Sequence, residues 1–285
     1  MNWVDYANDI DLFEVFNKDV KPMSKSEKYR AVRVLIDYFS KEGIWNTKNL
    51  PDTYDTRRNM LRGILNAYPP KEIDPVNLEL LERLLITECK EKNTISVDDI
   101  PEVEKDISIF NGDITTIKSD VIVNAANSRL LGCMQPLHMC IDNAIHSAAG
   151  PRLRKDCNII IEKQNHLEYT GSAKITRAYC LPSKYVIHTV GPIVSSLDPT
   201  KKQEKQLSSC YNSCLNIVRD IDNIKNIVFC CISTGVFGYP KEDAAKIAVK
   251  TVKKWMEDNP EKELKVVFNV YKDSDEEIYR HILSK

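Results

Sequence analysis

Residues 110–115 read Phe-Asn-Gly-Asp-Ile-Thr, residues 123–128 read Val-Asn-Ala-Ala-Asn-Ser, and residues 132–146 read Gly-Cys-Met-Gln-Pro-Leu-His-Met-Cys-Ile-Asp-Asn-Ala-Ile-His. The first two segments follow apolar runs and open into small and amide side chains, the local pattern of a nucleotide-diphosphate pocket. The third spaces two thiols and an imidazole as Cys-x4-His-x-Cys, as a metal site does. A metal beside a nucleotide pocket points to an enzyme acting on a nucleotide-like ligand rather than to a simple binder.

Outward from these segments the chain divides by pattern. Ile107–Phe110, Val121–Val123, Ala173–Ile175, Tyr185–Val190, Ile227–Ile232 and Val266–Tyr271 read as strands. Several are unbroken β-branched runs, as expected of strands covered on both faces. His138–Ala149, Lys201–Ile221, Lys241–Asp258 and Asp275–Leu283 read as helices between them. His138 and Cys140 are two apart and cannot share a helix face, so the first of these helices should begin near Cys140 or Ile141. Strands alternating with helices predict an α/β fold, a three-layer α/β/α domain with a mixed central sheet. Upstream, Ser24–Phe39, Thr56–Ala67 and Asp74–Lys90 read as helices, the last two separated by Tyr68-Pro69-Pro70, and no strand is obvious. The expected boundary lies near residues 100–105. It divides a small all-α N-terminal extension, residues 1–104, from the α/β domain, residues 105–285.

The net charge of −1 gives nucleic-acid binding no electrostatic support. Residues 1–104 carry 15 basic and 20 acidic side chains and the remainder 25 and 21, so only the second part leans towards an anionic ligand. No apolar run approaches the ~20 residues that span a bilayer, and Met1–Ile10 has acidic residues where a secretory leader has an apolar core. The expectation is a cytoplasmic protein, monomeric by default. Its nine cysteines are then metal ligands, nucleophiles or small apolar core residues rather than disulfides.

Two turns frame the pocket. In Asn111-Gly112-Asp113-Ile114-Thr115, Gly112 permits a tight turn, and Asp113 either accepts from an exocyclic amine or caps the next helix. Ser233-Thr234-Gly235-Val236-Phe237-Gly238-Tyr239 follows a buried strand and precedes a helix, where an α/β sheet places its ligands. Gly235 and Gly238 can expose successive backbone N–H groups to phosphate oxygens, and Phe237 or Tyr239 can stack on a ribose or base. No Gly-Lys-Ser/Thr follows, so this is not a Walker loop. Asn127 offers a donor and an acceptor to a sugar hydroxyl, or serves as a turn residue at the strand end.

Asn-Gly-Asp-Ile-Thr (111–115), Val-Asn-Ala-Ala-Asn (123–127), Ala-Ile-His-Ser-Ala-Ala-Gly (144–150) and Ser-Thr-Gly-Val-Phe-Gly-Tyr-Pro (233–240) stand in the order found in macrodomains, and from about residue 105 the chain resembles that ADP-ribose-binding family. The resemblance implies that Asp113 holds the adenine amino group with help from the Ile114 backbone. It implies too that the 234–238 loop wraps the diphosphate and that Asn127 reaches the distal ribose, with Tyr239 or Phe237 packed against it. The sequence departs from most macrodomains after Asn127, where a glycine run is replaced by the segment holding Cys133, His138 and Cys140. Two thiolates and one imidazole favour zinc, and three protein ligands leave one position open, as catalytic sites do. In isolation such a triplet is more often two buried thiols and a core histidine; its place in the ligand loop favours the metal.

The segment resembles a zinc-containing macrodomain subfamily that removes ADP-ribose from proteins, and Arg57–Pro70 is similar to the helical extension ahead of that subfamily's domain. Asp142 precedes His146 by four, the spacing of a carboxylate in other hydrolytic macrodomains, and is the candidate general base or water-orienting group; a carboxylate in the first helical turn also complements the helix dipole. His146 reads as structural. The resulting expectation is a Zn2+-dependent hydrolase of mono-ADP-ribosylated proteins, at Asp or Glu esters, with Asp142 and Asn127 as catalytic side chains. A sirtuin-type ADP-ribosyltransferase would work in the opposite direction. The alternatives are an ADP-ribose-binding reader without catalysis and a hydrolase of free O-acetyl-ADP-ribose.

Overall fold

The β-branched runs gather into one sheet in the computed structural model, which describes residues 1–42, 51–196 and 198–285. The strands are β1 (Ile95–Ser96), β2 (Glu102–Glu104), β3 (Ile107–Asn111), β4 (Ile117–Lys118), β5 (Val121–Ala126), β6 (Ala173–Arg177), β7 (Tyr185–Val190), β8 (Asn226–Phe229) and β9 (Lys265–Val270). Seven of them form a sheet in the order β2-β3-β9-β8-β5-β7-β6. β3, β9, β8, β5 and β7 are mutually parallel, and the outer strands β2 and β6 run antiparallel to their neighbours. The strand order turns back between β8 and β7, so the loops leaving β5 and β8 open side by side at the carboxyl edge. That is where an open α/β sheet binds its ligand.

The helices are α1 (Lys25–Phe39), α2 (Tyr54–Ala67), α3 (Pro75–Glu91), α4 (Ile141–Ala149), α5 (Pro151–Gln164), α6 (Lys201–Arg219), α7 (Lys241–Asp258) and α8 (Asp273–Leu283). α6, α7 and α8 pack in series beside β6, β7, β3 and β9, while α4 and α5 lie on β5 and β6. The outcome is the expected α/β/α macrodomain-type layering with a mixed sheet. α2 and α3 pack on the outer side of α4. Together with α1 they enclose a second apolar core that includes Val32, Leu35, Leu61, Ile64, Leu81 and Leu84. Helix α1 starts where Ser24 Oγ accepts the Glu27 N–H and the Glu27 carboxylate takes the Ser24 N–H, a reciprocal cap.

Three features differ from the sequence reading. α5 is absent from the expected helices, although Pro151 opens it after Gly150 (φ +91) and Asn165 closes it in the left-handed region (φ +56). Its run Arg-Lys-Asp at 154–156 dilutes the apolar stripe of Leu153, Cys157 and Ile160 that it buries. The expected all-α extension, residues 1–104, contains two strands, β1 and β2; they are two and three residues long, too short to show a period, and pair in parallel with β4 and antiparallel with β3. Finally, Tyr6, Ile10 and Leu12 belong to the core of the sheet domain. The Tyr6 hydroxyl donates to Ile175 O (3.2 Å) and accepts the Ile175 N–H (2.8 Å), closing the open side of edge strand β6. Among the described residues no helix is long and apolar enough to cross a membrane.

Candidate active site

Strand β5 delivers Asn124 to the centre of the site. This fully buried amide donates from Nδ2 to Asp142 Oδ1 (2.8 Å) and to His188 Nδ1 (3.1 Å), the latter carried by the neighbouring strand β7. Asp142 stands in the first turn of α4, 5% exposed, where the helix dipole favours a carboxylate. Burial nonetheless pushes its pKa up to about 6, against the hydrogen bond from Asn124, the nearby Arg154 cation and the Asn127 amide. His146 Nε2 lies 3.5 Å from Asp142 Oδ1, and no hydrogen bond forms. Burial, Arg154 and His188 all lower the His146 pKa, so the ring is neutral and the contact is not an ion pair.

After β5 the chain folds tightly over this group. Asn127 Oδ1 accepts the Arg129 N–H (2.9 Å), and its Nδ2 reaches Gly132 O (2.9 Å) and Asp142 Oδ2 (3.3 Å). Leu130, Gly132, Met134 and Leu137 all take positive φ. Only glycine suits position 132, where φ is +81 and a Cβ would stand 3.2 Å from the His146 ring. These reversals bring one donor atom each from Cys133, His138 and Cys140 within 4.8 Å of one another. Cys140 caps α4, its Sγ accepting the Asn143 N–H at 3.4 Å. The Asn143 side chain donates to Cys133 Sγ (3.3 Å) and to Gln135 O (2.9 Å).

The loop after β8 forms the facing wall. Ser233 is buried with φ +66, and its Oγ presses on Gly191, where a Cβ would lie 2.0 Å away. Gly238 (φ +69) packs its Cα against Val194 O, and Val194 N–H donates to Phe237 O at 2.7 Å. Thr234 Oγ1 donates to Cys231 O (3.0 Å). Gly235 has open space where a side chain would be, Val236 is exposed and Tyr239 is buried. Among the described residues the N–H groups of Gly235, Val236 and Phe237 make no hydrogen bond. At the far end Asp113 caps a single helical turn, accepting from Thr115 N (2.9 Å) and Oγ1 (2.7 Å), with Lys92 Nζ at 3.3 Å. Burial raises its pKa, and the Thr115 bonds with the Lys92 cation outweigh that, leaving the carboxyl below its usual range. Ile114 is buried in the sheet core.

The Macro domain family matches residues 123–248, the span from β5 through the facing loop into α7. A protein-ADP-ribose hydrolase of Treponema medium is 42% identical over 264 residues, which are 91% of this chain and 100% of the relative. This chain belongs to the macrodomain family. A protein-ADP-ribose hydrolase of Staphylococcus aureus strain MSSA476 is 40% identical over 92% of this chain and 97% of its own. Among solved structures, the Oceanobacillus iheyensis macrodomain with ADP is 39% identical with a TM-score of 0.56, covering 62% of this chain and 90% of that one. The Trypanosoma brucei macrodomain in complex with ADP-ribose is 27% identical with a TM-score of 0.59, covering 74% and 91%.

In this macrodomain the donor set fits a metal ion. His138 Nδ1 is buried and has no hydrogen-bond partner among the described residues, an arrangement that costs free energy unless something binds there. Two sulfurs beside the His138 imidazole make the soft, three-donor set that zinc takes. A second grouping, His146, Cys157 and His188, has donors equally close. It reads as polar core: His188 is occupied by Asn124 and by Thr176 Oγ1 (3.0 Å), and Cys157 Sγ sits 3.6 Å from His188 Nε2. Asn124, His188 and Asn143 were not singled out from the sequence. For Asn124 there was a signal, an amide at a core-facing position of an otherwise apolar strand.

Proposed function

We propose that this macrodomain protein is a zinc-dependent hydrolase that removes mono-ADP-ribose from proteins, at Asp or Glu ester linkages. The carrying observation is the convergence of Cys133, His138 and Cys140 directly ahead of Asp142, with His138 Nδ1 buried and unpartnered. The two bacterial relatives named above, both protein-ADP-ribose hydrolases and alike over more than nine-tenths of this chain, support the reading. Cys133, His138 and Cys140 hold the ion, which when bound supplies Lewis-acid polarisation of an oxygen or a lowered water pKa.

The rest follows from side chains and backbone. The unengaged N–H groups of Gly235, Val236 and Phe237 form a nest for diphosphate oxygens, shaped by Gly238 and closed by Ser233, Thr234 and Tyr239. Asp113, with the Ile114 backbone, receives the adenine amino group. Asn127 borders the distal ribose, next to Asp142. Asp142, fixed by Asn124, orients water or takes up a proton beside the ester. Holding the ligand at both ends aligns the scissile bond with these groups. The opposing reaction belongs to an ADP-ribosyltransferase, of sirtuin type by the resemblance of the sequence. The cytoplasm, where thiolate ligands stay reduced, is the proposed setting.

The test is ADP-ribose release from a protein modified on acidic residues, before and after metal is stripped and Zn2+ restored. Release that vanishes and returns, and that Cys133→Ala lowers at least about 100-fold, is expected if the ion supplies several kcal/mol. Release that survives stripping removes zinc from the reaction. Binding of ADP-ribose without any release makes the protein a reader.

A further inference from the structure

The metal loop is held from outside the α/β domain. Asn66 lies in the last turn of α2 and is 3% exposed. Its Oδ1 accepts the N–H of Leu137, the residue before His138, at 3.0 Å. Its Nδ2 donates to Ser147 Oγ in α4 at 2.9 Å. Ser147 Oγ donates onward to Asn143 Oδ1 at 3.0 Å, and Asn143 donates to Cys133 Sγ from its side chain and to Cys140 Sγ from its backbone. One directed hydrogen-bond relay therefore starts on the N-terminal helices and ends on both sulfurs. A second branch ends one residue from the imidazole.

Arg154 reinforces the junction. Its Nε donates to Leu131 O in the loop (2.8 Å), while its other nitrogens reach the terminal carbonyls of α2, Leu65 O (2.8 Å), Asn66 O (3.2 Å) and Tyr68 O. Pro136 and Leu137 of the loop also pack against α2 beside Gly63, where a Cβ would meet them in ordinary van der Waals contact at 3.7 Å.

We propose that Asn66 is a positioning residue for the metal centre. Through Leu137 and through Ser147 and Asn143 it presets the Cys133, His138 and Cys140 donors, which makes the N-terminal helices part of the site that binds the ion. The inference rests on the zinc reading above. Leu137 has φ +58, an unfavourable backbone state for a residue with a Cβ, and the Asn66 bond is what holds its N–H there. Without that bond the loop relaxes and the ion must order it on binding. Outer partners of metal ligands typically govern affinity by about 10- to 100-fold.

The experiment measures Zn2+ affinity of the full chain by competition with a chromophoric chelator, and follows the thiolate charge-transfer bands of the Co2+-substituted protein. Asn66→Ala is expected to weaken Zn2+ binding about 10- to 100-fold, with hydrolysis recovering at excess Zn2+. Asn66→Asp, which keeps the acceptor for Leu137, recovers part of the affinity. Ser147→Ala removes one hydroxyl at a half-buried helix position and weakens binding in the same direction. A merely structural Asn66 would lower the melting temperature of the metal-free protein while leaving the Zn2+ affinity within about twofold of the parent, well short of the expected loss, and that result overturns the proposal. Should Asn66→Ala fail to fold, an unchanged affinity in Ser147→Ala overturns the relay. A parent protein that takes up no Zn2+ overturns the zinc reading itself, and this inference with it.

Discussion

Asp156 on α5 is buried, and the Tyr179 hydroxyl donates to its Oδ2 at 2.5 Å. Burial drives its pKa from 3.8 to about 7, against the Tyr179 bond and the Arg177 cation. The folded state thus holds this proton more tightly than the unfolded chain does. Its stabilising effect is complete below the unfolded value, declines as pH rises and is gone above about 7. Asp156→Asn keeps an acceptor for Tyr179 and removes the titration. The variant's melting temperature should therefore exceed the parent's by more at pH 8 than at pH 5; an equal difference at both values excludes Asp156 as the titrating group. Side chains of this kind separate what a sequence shows from what it hides. That Cys133, His138 and Cys140 come together was legible because donor chemistry is written in residue type and their spacing is local. Asn143 and Asn124 were not, because an amide's role is set by partners far along the chain; His188 is 64 positions from Asn124.

The elements repeat that division. The runs Tyr185–Val190 and Lys241–Asp258 appear in the structure with the bounds their periodicity gives. α5 escaped because its polar face is long and its signals, Pro151 and Asn165, lie at the ends. The contribution of the first residues escaped for another reason: Tyr6 acts on a strand 169 positions away. Its hydroxyl satisfies both outward backbone groups of Ile175 on edge strand β6. Tyr6→Phe leaves an N–H and a C=O unpaired beneath a packed segment, and buried groups left so cost about 1–3 kcal/mol each. Urea unfolding should show a lower midpoint with the slope unchanged, since the surface exposed on unfolding stays the same. A midpoint equal to the parent's would mean that solvent already serves these groups.

The division at residues 104 and 105, legible as a change from helical to strand pattern, does not mark a separable unit. The core of the sheet domain draws Tyr6, Ile10, Leu12, Val97 and Ile100 from before it, and β2 ends at Glu104 after joining the sheet beside β3. Two apolar cores touch across the junction, where Cys180 packs with the N-terminal helices. The Oceanobacillus macrodomain meets 62% of this chain with 90% of its own, so the fold does not in general need so long an extension. Here the two parts are joined at Arg154, a residue 6% exposed whose guanidinium donates to three carbonyls of residues 65–68. A fragment of residues 105–285 would hand that guanidinium to water, bare the outer face of α4 and take Tyr6, Ile10, Leu12, Val97 and Ile100 out of the core of the sheet domain. Losing each buried apolar side chain costs about 1.5–3 kcal/mol, so the five together exceed a large part of the roughly 5–15 kcal/mol that holds a domain folded. The fragment should be aggregation-prone or loosely packed, with far-UV circular dichroism retained and near-UV signal lost, and supplying the helices as a separate chain should restore the near-UV signal. A fragment that is monomeric and melts within a few degrees of the full chain would show that the sheet domain closes its own core.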